Sequence, residues 1–398
     1  IMSSDWSSDV CSSDLVQVNM QQVKARKDAV VGTENDQIPE WMQEIENLTV
    51  YKGHARFEDA RTVHVGDDRL TAEKIFINVG ARAVIPSLPG LEEVDAMTNS
   101  DMMQVDFLPD HLVIIGGSYV GLEFAQMYRR FGSRVTVIEK GDRLIGHEDE
   151  DVSDTVREIL EGEGVDIRLK AECVGLRKHP DGVAVRLECQ SGAPEVTGSH
   201  LLLAVGRRPN TDDLGCDRAG LKLDERGYII VDDQLRTSVD GIWALGDCNG
   251  EGAFTHTAYN DSEIVAANLL DDDPRRVSDR ILTYALYIDP PLGRVGMTAT
   301  QVRQSGRRAL VGKRPMTRVN RAQAKGDTRG FIKILVDAET EKILGAAILG
   351  VGGDEAVHQL TDAMYAGASY KVVQRAVHIH PTVSELIPTV LGQLEPLE

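Results

Sequence analysis

Residues 113–123 read Val-Ile-Ile-Gly-Gly-Ser-Tyr-Val-Gly-Leu-Glu and carry the clearest structural signal in the chain. An apolar strand over residues 111–115 leads into a turn of small residues and then into a predicted helix, Gly121 to Phe131. Such a turn lets the backbone approach a pyrophosphate, whose charge is met by the helix N-terminus. Ser118 replaces the middle glycine of the usual pattern and is small enough to be tolerated there. The run predicts a dinucleotide site; the alternative is a tight glycine turn without a ligand.

The candidate contacts with the dinucleotide lie in this turn and at the end of the next strand. The turn contributes Gly116, Gly117, Ser118, Val120 and Gly121. The strand that begins at Arg134 ends in Glu139, whose carboxylate can accept hydrogen bonds from both hydroxyls of an adenosine ribose and repels a 2′-phosphate. Glu139 therefore favours NAD over NADP. Lys140 and Arg143 could neutralise a phosphate, so NADP stays open as an alternative.

The order of the predicted elements indicates an α/β chain. Strands alternate with helices between residues 111 and 205, which predicts a parallel, doubly wound sheet. Before it, residues 17–45 read as a helix broken near Pro39, and residues 48–70 as a small antiparallel sheet. After a charged linker at 271–276, strands precede helices, which indicates an α+β domain.

Composition excludes several classes of function. The 398 residues carry a formal net charge of -20, which repels phosphate backbones and argues against a nucleic-acid partner. No apolar run approaches the roughly 18 residues that a membrane helix needs. The five cysteines are scattered and form neither a C-x-x-C pair nor a metal-ligand cluster, so we expect no metal site. This pattern favours a cytoplasmic protein over a disulfide-rich secreted one.

The first 15 residues differ from the rest of the chain. They repeat Ser-Ser-Asp three times and have neither the basic start nor the apolar core of a signal peptide. We interpret residues 1–15 as a non-native or disordered tail. A natural disordered Ser/Asp tail is the alternative.

Three further strings occur in a characteristic order. Residues 205–210 read Val-Gly-Arg-Arg-Pro-Asn, residues 242–247 read Ile-Trp-Ala-Leu-Gly-Asp, and residues 378–385 read His-Ile-His-Pro-Thr-Val-Ser-Glu. Together with the glycine turn they resemble the class I pyridine nucleotide–disulfide oxidoreductases, the family of dihydrolipoamide dehydrogenase, glutathione reductase and mercuric reductase. The resemblance extends over residues 16–398, and among the family's branches the chain most resembles the mercuric-reductase-like proteins.

The resemblance implies a fold class and a domain layout. We expect an α/β chain with two Rossmann-like dinucleotide-binding domains, the FAD domain incomplete, followed by a C-terminal α+β dimerisation domain. The expected boundaries are 16–107 with 241–280 for the partial FAD-binding domain, 108–240 for the NAD(P)-binding domain and 281–398 for the dimerisation domain. The implied cofactors are FAD and NAD, and the implied assembly is a homodimer.

The resemblance also implies roles for single residues. Asp247 would hydrogen-bond the flavin ribityl chain, although it could instead be a helix-capping aspartate. Tyr119 would be a gate over the flavin, with plain aromatic packing as the alternative. Glu123 would pair with a lysine beside the flavin. Further implied cofactor contacts are Gly80, Gly206, Arg207 and Gly246.

His380 and Glu385 are the candidate catalytic pair. Pro381 biases His380 toward an extended conformation, which can bring the Glu385 carboxylate to one imidazole nitrogen and raise the basicity of the other. The resemblance implies that the pair serves the partner subunit's thiols across the dimer interface. A purely structural interface pair is the alternative.

The expected reaction passes a hydride from nicotinamide to flavin and electrons onward to a disulfide or to mercuric ion, so the partner is a small-molecule or metal-ion acceptor. The sequence has neither the family's C-x-x-x-x-C pair nor its first glycine turn. We interpret the chain as starting partway through the FAD domain and expect it to retain little FAD. The alternatives are a dithiol-free NADH:quinone or dye reductase of the same fold and a non-catalytic NAD-binding dimeric module.

Overall fold

The structure is a computed structural model, and it describes residues 17–189 and 192–398. The predicted tail at residues 1–15 lies outside these ranges. The strands, in chain order, are β1 Ala55–Phe57, β2 Thr62–Val65, β3 Asp68–Thr71, β4 Ile75–Ile77, β5 Ala81–Ala83, β6 Ala96–Met97, β7 His111–Ile115, β8 Arg134–Ile138, β9 Asp166–Arg168, β10 Ala171–His179, β11 Gly182–Cys189, β12 Glu195–Gly198, β13 His200–Leu203, β14 Arg207–Pro209, β15 Ile242–Ala244, β16 Thr283–Leu286, β17 Leu292–Gly296, β18 Ala309–Pro315, β19 Phe331–Asp337, β20 Ile343–Leu349 and β21 Glu395–Pro396.

Helices cover or connect these strands. They are α1 Met20–Glu44, α2 Asn99–Met102, α3 Tyr119–Phe131, α4 Glu150–Gly162, α5 Cys216–Ala219, α6 Thr255–Ala266, α7 Ala299–Gln304, α8 Asn320–Lys325, α9 Gly353–Ala356, α10 His358–Tyr365, α11 Tyr370–Arg375 and α12 Ile387–Leu391. Helix α1 continues through Pro39, so the predicted break near that residue is wrong. The proline removes one backbone donor, but the turns on either side keep their helical conformation.

The nucleotide sheet is five-stranded and parallel, with the order β6-β13-β7-β8-β9. Leu112, Val113 and Ile114 on its central strand are fully buried. Such continuous apolar runs are typical of strands covered on both faces. The predicted doubly wound sheet is confirmed. A small antiparallel sheet, β10-β11-β12, is inserted after β9.

The strand pairings cross the domain boundaries predicted at residues 107 and 240. Strand β6, expected in the flavin domain, pairs in parallel with β13 of the nucleotide sheet. Strand β14, expected in the nucleotide domain, pairs with β5 on the flavin side. The backbone groups of each short strand need hydrogen-bonding partners, and both strands find theirs across a predicted boundary. Their own apolar pattern is too short to show which sheet provides that partner.

The part of the molecule predicted as the flavin domain, which we call the flavin side, contains the predicted antiparallel sheet β1-β2-β3 and a parallel pair, β4 and β15. Its core contains Phe57, Ile77, Leu214, Ile229 and Ile242. The C-terminal domain is a six-stranded antiparallel sheet in the order β16-β17-β20-β19-β18-β21, packed against α9 to α12. The α+β expectation is confirmed.

Candidate functional site

The glycine turn is built from positions where a side chain would not fit. Gly116 has φ +115°, and a Cβ there would collide with the carbonyl oxygen of Ala204. A Cβ on Gly121 would collide with the carbonyl oxygen of Gly116, because helix α3 lies directly against the turn. At Gly117 a Cβ would lie 2.8 Å from Leu144 Cδ2. The turn is therefore held in the close-packed shape that a dinucleotide pyrophosphate requires.

Helix α3 begins immediately after this turn. Ser118 is its N-cap, and its side chain makes no capping hydrogen bond. The first backbone amides of this 13-residue helix therefore have no cap from that side chain, and Ser118, Tyr119 and Val120 line the adjoining cleft. Open amides at a helix N-terminus are suited to an anionic group.

The carboxylate of Glu139, the residue after strand β8, is held by two backbone amides, one from the glycine turn and one from the loop that follows. Its Oε2 accepts a hydrogen bond from the Gly117 amide at 2.8 Å, and its Oε1 accepts one from the Gly141 amide at 2.6 Å. A carboxylate has about four acceptor positions, so capacity remains for two ribose hydroxyls. The structure thus places the predicted acid against the predicted turn.

A cleft of about 640 Å³ runs from this turn to the flavin side. It is lined by Gly116, Gly117, Ser118, Tyr119 and Glu139 on one side and by residues that include Gly206, Arg207, Tyr228 and Ala253 on the other. The groove thus connects the glycine turn with Gly206 and Arg207 of the flavin side, whereas Gly80, Gly246 and Asp247 lie outside its lining.

Asp247 and Arg207, both predicted as cofactor contacts, bind each other. Arg207 Nη2 lies 3.1 Å from Asp247 Oδ2 and donates a second hydrogen bond of 2.7 Å to the Ala81 carbonyl. No described residue donates to the other oxygen of Asp247. Gly246 donates its amide to Asp261 Oδ2 at 2.8 Å, which fixes the start of this turn.

These residues fit one end of an FAD molecule. Asp247 offers a carboxylate oxygen to a polyol, and Gly80 and Gly206 have positive φ angles with open space where a Cβ would project. Within residues 17–189 and 192–398, the only strand, glycine turn and helix of the dinucleotide type is the one at Gly116. The acceptor at Asp247 and the open glycines beside it are of the kind that the ribityl end of FAD requires.

Tyr119 and Glu123 project from the first turns of α3. The Tyr119 ring packs edge-on against Phe254 and Tyr284, with centroid distances of 6.1 and 5.7 Å. Glu123 accepts a hydrogen bond of 2.9 Å from the Tyr287 amide. Burial raises the pKa of Glu123, and no cation among the described residues forms an ion pair with it.

His380 and Glu385 lie together, as their spacing predicts. His380 Nδ1 is 2.8 Å from Glu385 Oε2 and 3.1 Å from Oε1. The histidine side chain is 67% exposed, whereas that of the glutamate is 14% exposed. The carboxylate thus holds one ring nitrogen, and no described residue forms a hydrogen bond with the other.

Sequence reasoning missed a set of buried charges where the nucleotide domain meets the C-terminal sheet. Glu148 binds the guanidinium of Arg294 and accepts a hydrogen bond from the hydroxyl of Tyr284. Asp149 lies 2.9 Å from Lys333 Nζ. Arg294 and Lys333 interrupt otherwise apolar strands, β17 and β19, and that interruption is the signal that could have identified them.

Of the cysteines that the structure describes, Cys173 lines the cleft and the other three do not. Cys173, Cys216 and Cys248 are buried and Cys189 is half-buried, and all four are free thiols. Burial raises the pKa of Cys248 to about 11, which makes that thiol a poor nucleophile. No group of three potential metal ligands occurs in the described ranges. Among the same residues, no helix is both long and apolar enough to cross a bilayer.

Comparison with known families covers most of the chain. Residues 10–262 match the pyridine nucleotide-disulphide oxidoreductase family, and residues 282–391 match the dimerisation domain of that family. The second match agrees with the homodimer expected from the sequence.

Individual relatives agree with this result. The chain is 37% identical over 350 residues to the probable pyridine nucleotide-disulfide oxidoreductase RclA of Escherichia coli strain K12, covering 86% of this chain and 78% of RclA. It is 33% identical to the mercuric reductase of Streptomyces lividans, covering 85% of this chain and 72% of the reductase. A solved structure of the HOCl-induced flavoprotein disulfide reductase RclA from Escherichia coli superposes with a TM-score of 0.89 at 34% identity, covering 94% of this chain and 86% of that one.

Proposed function

Since the chain belongs to the pyridine nucleotide–disulfide oxidoreductase family, whose members use FAD and a pyridine nucleotide, we propose that it oxidises NADH in preference to NADPH and passes the electrons to a disulfide or to mercuric ion. The observation that carries the nucleotide preference is the position of Glu139. Its carboxylate lies beside the glycine turn, bound by the amides of Gly117 and Gly141. A 2′-phosphate at that point would meet a fixed negative charge.

In this proposal the chain's own residues orient the nucleotide. The amides that begin α3 receive the pyrophosphate, because Gly116 and Gly121 allow close approach of the backbone. Glu139 accepts the adenosine ribose hydroxyls, and Tyr119 lines the cleft where the nicotinamide would reach the flavin side. Asp247, with Gly80, Gly206, Arg207 and Gly246 around it, holds the ribityl end of FAD. The flavin, when bound, supplies the electron transfer that amino-acid side chains cannot perform.

His380 and Glu385 are proposed as the acid–base pair for the acceptor. The Glu385 carboxylate binds one imidazole nitrogen and fixes the tautomer, and the exposed ring nitrogen is available to a partner subunit's reacting group. Replacing His380 with alanine should slow disulfide reduction by roughly 10²-fold or more and leave NADH-to-dye transfer nearly intact. His378→Ala is the matched control, because that ring is held by Gln359 and the Ala376 carbonyl. Equal loss of both activities would point to folding or dimerisation instead.

A second acceptor class is compatible with the described thiols. Three of the four are buried, and no two of them have the C-x-x-x-x-C spacing. A chain without a reactive dithiol would pass electrons from flavin directly to a quinone, a dye or oxygen. Steady-state rates with a disulfide, mercuric ion and a quinone as alternative acceptors distinguish the two classes.

The test of nucleotide preference is calorimetric titration with NADH and with NADPH. NADH should bind more tightly, and Glu139→Ala should weaken NADH binding by roughly 1–3 kcal/mol because the ribose hydroxyls lose their acceptor. Asp142→Ala is the control: it removes the same charge from an exposed residue of the same loop. Tighter binding of NADPH by the unaltered chain would contradict the preference.

A further inference from the structure

The C-terminal domain contains a strongly basic segment that the net charge of the whole chain does not show. Residues 303–325 include eight lysines and arginines and no acid, whereas the full chain has 43 basic and 63 acidic residues. Two of the eight are neutralised by acids, since Lys313 lies 2.7 Å from Asp151 and Arg307 lies 3.4 Å from Asp337. Four others lie at the end of β18, in the turn that follows and on α8, and we call them the basic ridge: Arg314, Arg318, Arg321 and Lys325.

The backbone that carries the basic ridge is anchored to the C-terminal core. Met316, Val319 and Ala322 are fully buried and pack into that core at every third position. The ridge residues lie between and after them, and all except Arg314 are exposed. The Arg314 guanidinium donates two hydrogen bonds, of 3.1 and 3.0 Å, to the Arg318 carbonyl oxygen. The positive side chains therefore project from a fixed stretch of backbone.

The basic ridge has no acidic partner within the subunit. Within residues 17–189 and 192–398, no carboxylate forms an ion pair with any of its four residues. Arg321 and Lys325 are four residues apart on α8, a spacing at which side chains on one helical face are neighbours and like charges destabilise the helix slightly. A bound acid would remove this repulsion. The ridge is therefore better suited to binding an acidic group than to stabilising the fold.

The ridge also differs from the part of the C-terminal domain that is suited to subunit contact. Residues 288–364, all of which the structure describes, have no exposed large apolar side chain. Tyr365, Val372, Val377 and Ile379, by contrast, are 55–101% exposed. Permanent dimers bury apolar side chains of that kind, whereas separable partners meet through more polar surfaces. The basic ridge is a surface of the second kind.

We propose that the basic ridge is a docking surface for a short acidic segment of a partner protein. Three of its four residues are arginines, whose guanidinium groups bind carboxylates through paired hydrogen bonds. At a helical rise of about 1.5–2 Å per residue, the stretch from Arg318 to Lys325 spans roughly 10–14 Å, enough for a few carboxylates. A long polyanion such as nucleic acid would extend beyond the ridge over a chain whose net charge is -20. The inference goes beyond the proposed function, because no ridge residue lines the nucleotide cleft.

The test is fluorescence anisotropy of a labelled glutamate octapeptide titrated with the full chain at low ionic strength. The triple variant Arg318→Gln, Arg321→Gln, Lys325→Gln should weaken peptide binding by about 10-fold or more, because each exposed ion pair changes affinity by roughly 1.5- to 5-fold. Added salt should weaken binding to the unaltered chain, since exposed charges are screened. The single variant Arg321→Gln, with an expected loss of about 2-fold or more, replaces the triple variant if the latter does not fold.

The matched control removes the same amount of charge from places outside the ridge. It neutralises three arginines that are paired with neighbouring acids: Arg157→Gln, Arg177→Gln and Arg236→Gln. Both triple variants have the same net charge, so a difference between them reports the position of the charges. The control should weaken peptide binding by less than about 2-fold.

Several results would overturn the inference. An unaltered chain that does not bind the peptide, or an equal loss of affinity in the two triple variants, removes the ridge as the docking surface. Tighter binding of a DNA duplex than of the peptide would make nucleic acid the partner instead. Analytical ultracentrifugation without peptide tests contact between copies of this chain: the ridge variant should sediment like the unaltered chain, and a smaller assembly would assign the ridge to self-association and overturn a separate partner.

Discussion

Glu139 and Glu148 lie at the two ends of one loop, and their carboxylates are satisfied in opposite ways. Glu139 is bound by two backbone amides within 22 residues of it. Glu148 is bound by Arg294 and Tyr284, which are 146 and 136 residues away in the chain. The first glutamate faces a cleft and can take on a ligand, whereas the second is sealed between domains. A glutamate can therefore belong to a candidate binding site or to a contact between domains, and its hydrogen-bonding partners show which of the two it is.

The largest expected effect comes from neutralising the sealed glutamate. Glu148→Gln should lower the free energy of unfolding by roughly 3–5 kcal/mol, because it removes the nearer counter-charge of the buried Arg294 guanidinium and leaves only the Asp149 carboxylate at 4.0 Å. Denaturant unfolding followed by circular dichroism measures this. Glu161→Gln is the control: its partner Arg157 lies one helical turn away at the surface, and the loss should stay below about 1 kcal/mol. Similar losses of unfolding free energy in the two variants would show that burying an ion pair between the domains does not increase its effect on stability.

Asp149, the next residue, gives an intermediate effect that depends on pH. Burial opposes its charged form, but hydrogen bonds from Lys333 and from the amides of Ala299 and Thr300 outweigh burial and lower its pKa to about 2. Because the folded-state pKa lies below the unfolded value near 4, its contribution of about 2 kcal/mol is complete above pH 4 and lost as pH falls through 2.

Comparison with Asp149→Asn isolates this contribution. The difference in unfolding free energy between the unaltered chain and the variant should be constant from pH 7 to about pH 5 and shrink as pH falls toward 2. Urea titrations at each pH measure it. A difference that grows with acidity would reverse the assigned sign and contradict the role of the Lys333 contact.

The nucleotide turn can be predicted from the sequence because the interactions that form it join residues that are close together in the chain. Gly116, Gly121 and Glu139 act through strand, turn and helix elements that follow one another along the chain, so their spacing alone indicates a site. The pairing of His380 with Glu385 is predictable for the same reason. Strand β6 and strand β14 were assigned to the wrong side because short strands carry little pattern of their own.

The buried charges were missed for the opposite reason. Nothing near Glu148 in the sequence indicates that it will meet Arg294, and an isolated arginine in a strand is more often exposed. Their contact depends on how two domains pack, which no local periodicity encodes. A charged residue inside an apolar strand is the signal to examine, as Arg294 and Lys333 both show.

Glu123 sharpens the contrast, because it is a half-buried acid that forms no ion pair with any described residue. It accepts one hydrogen bond, from the Tyr287 amide, and burial raises its pKa.

Glu123→Gln keeps an oxygen acceptor at the same place and removes the partly desolvated charge. At pH 7 the variant should therefore be as stable as the unaltered chain or more stable by less than about 1 kcal/mol. A raised folded-state pKa means that the unaltered chain loses stability as pH rises above the unfolded value, so any gain should vanish below about pH 4. Thermal unfolding of both proteins at pH 4 and pH 7 measures this difference. A clear loss of stability at pH 7 would mean that the Glu123 charge is compensated after all, and the distinction between paired and unpaired acids would fail at this residue.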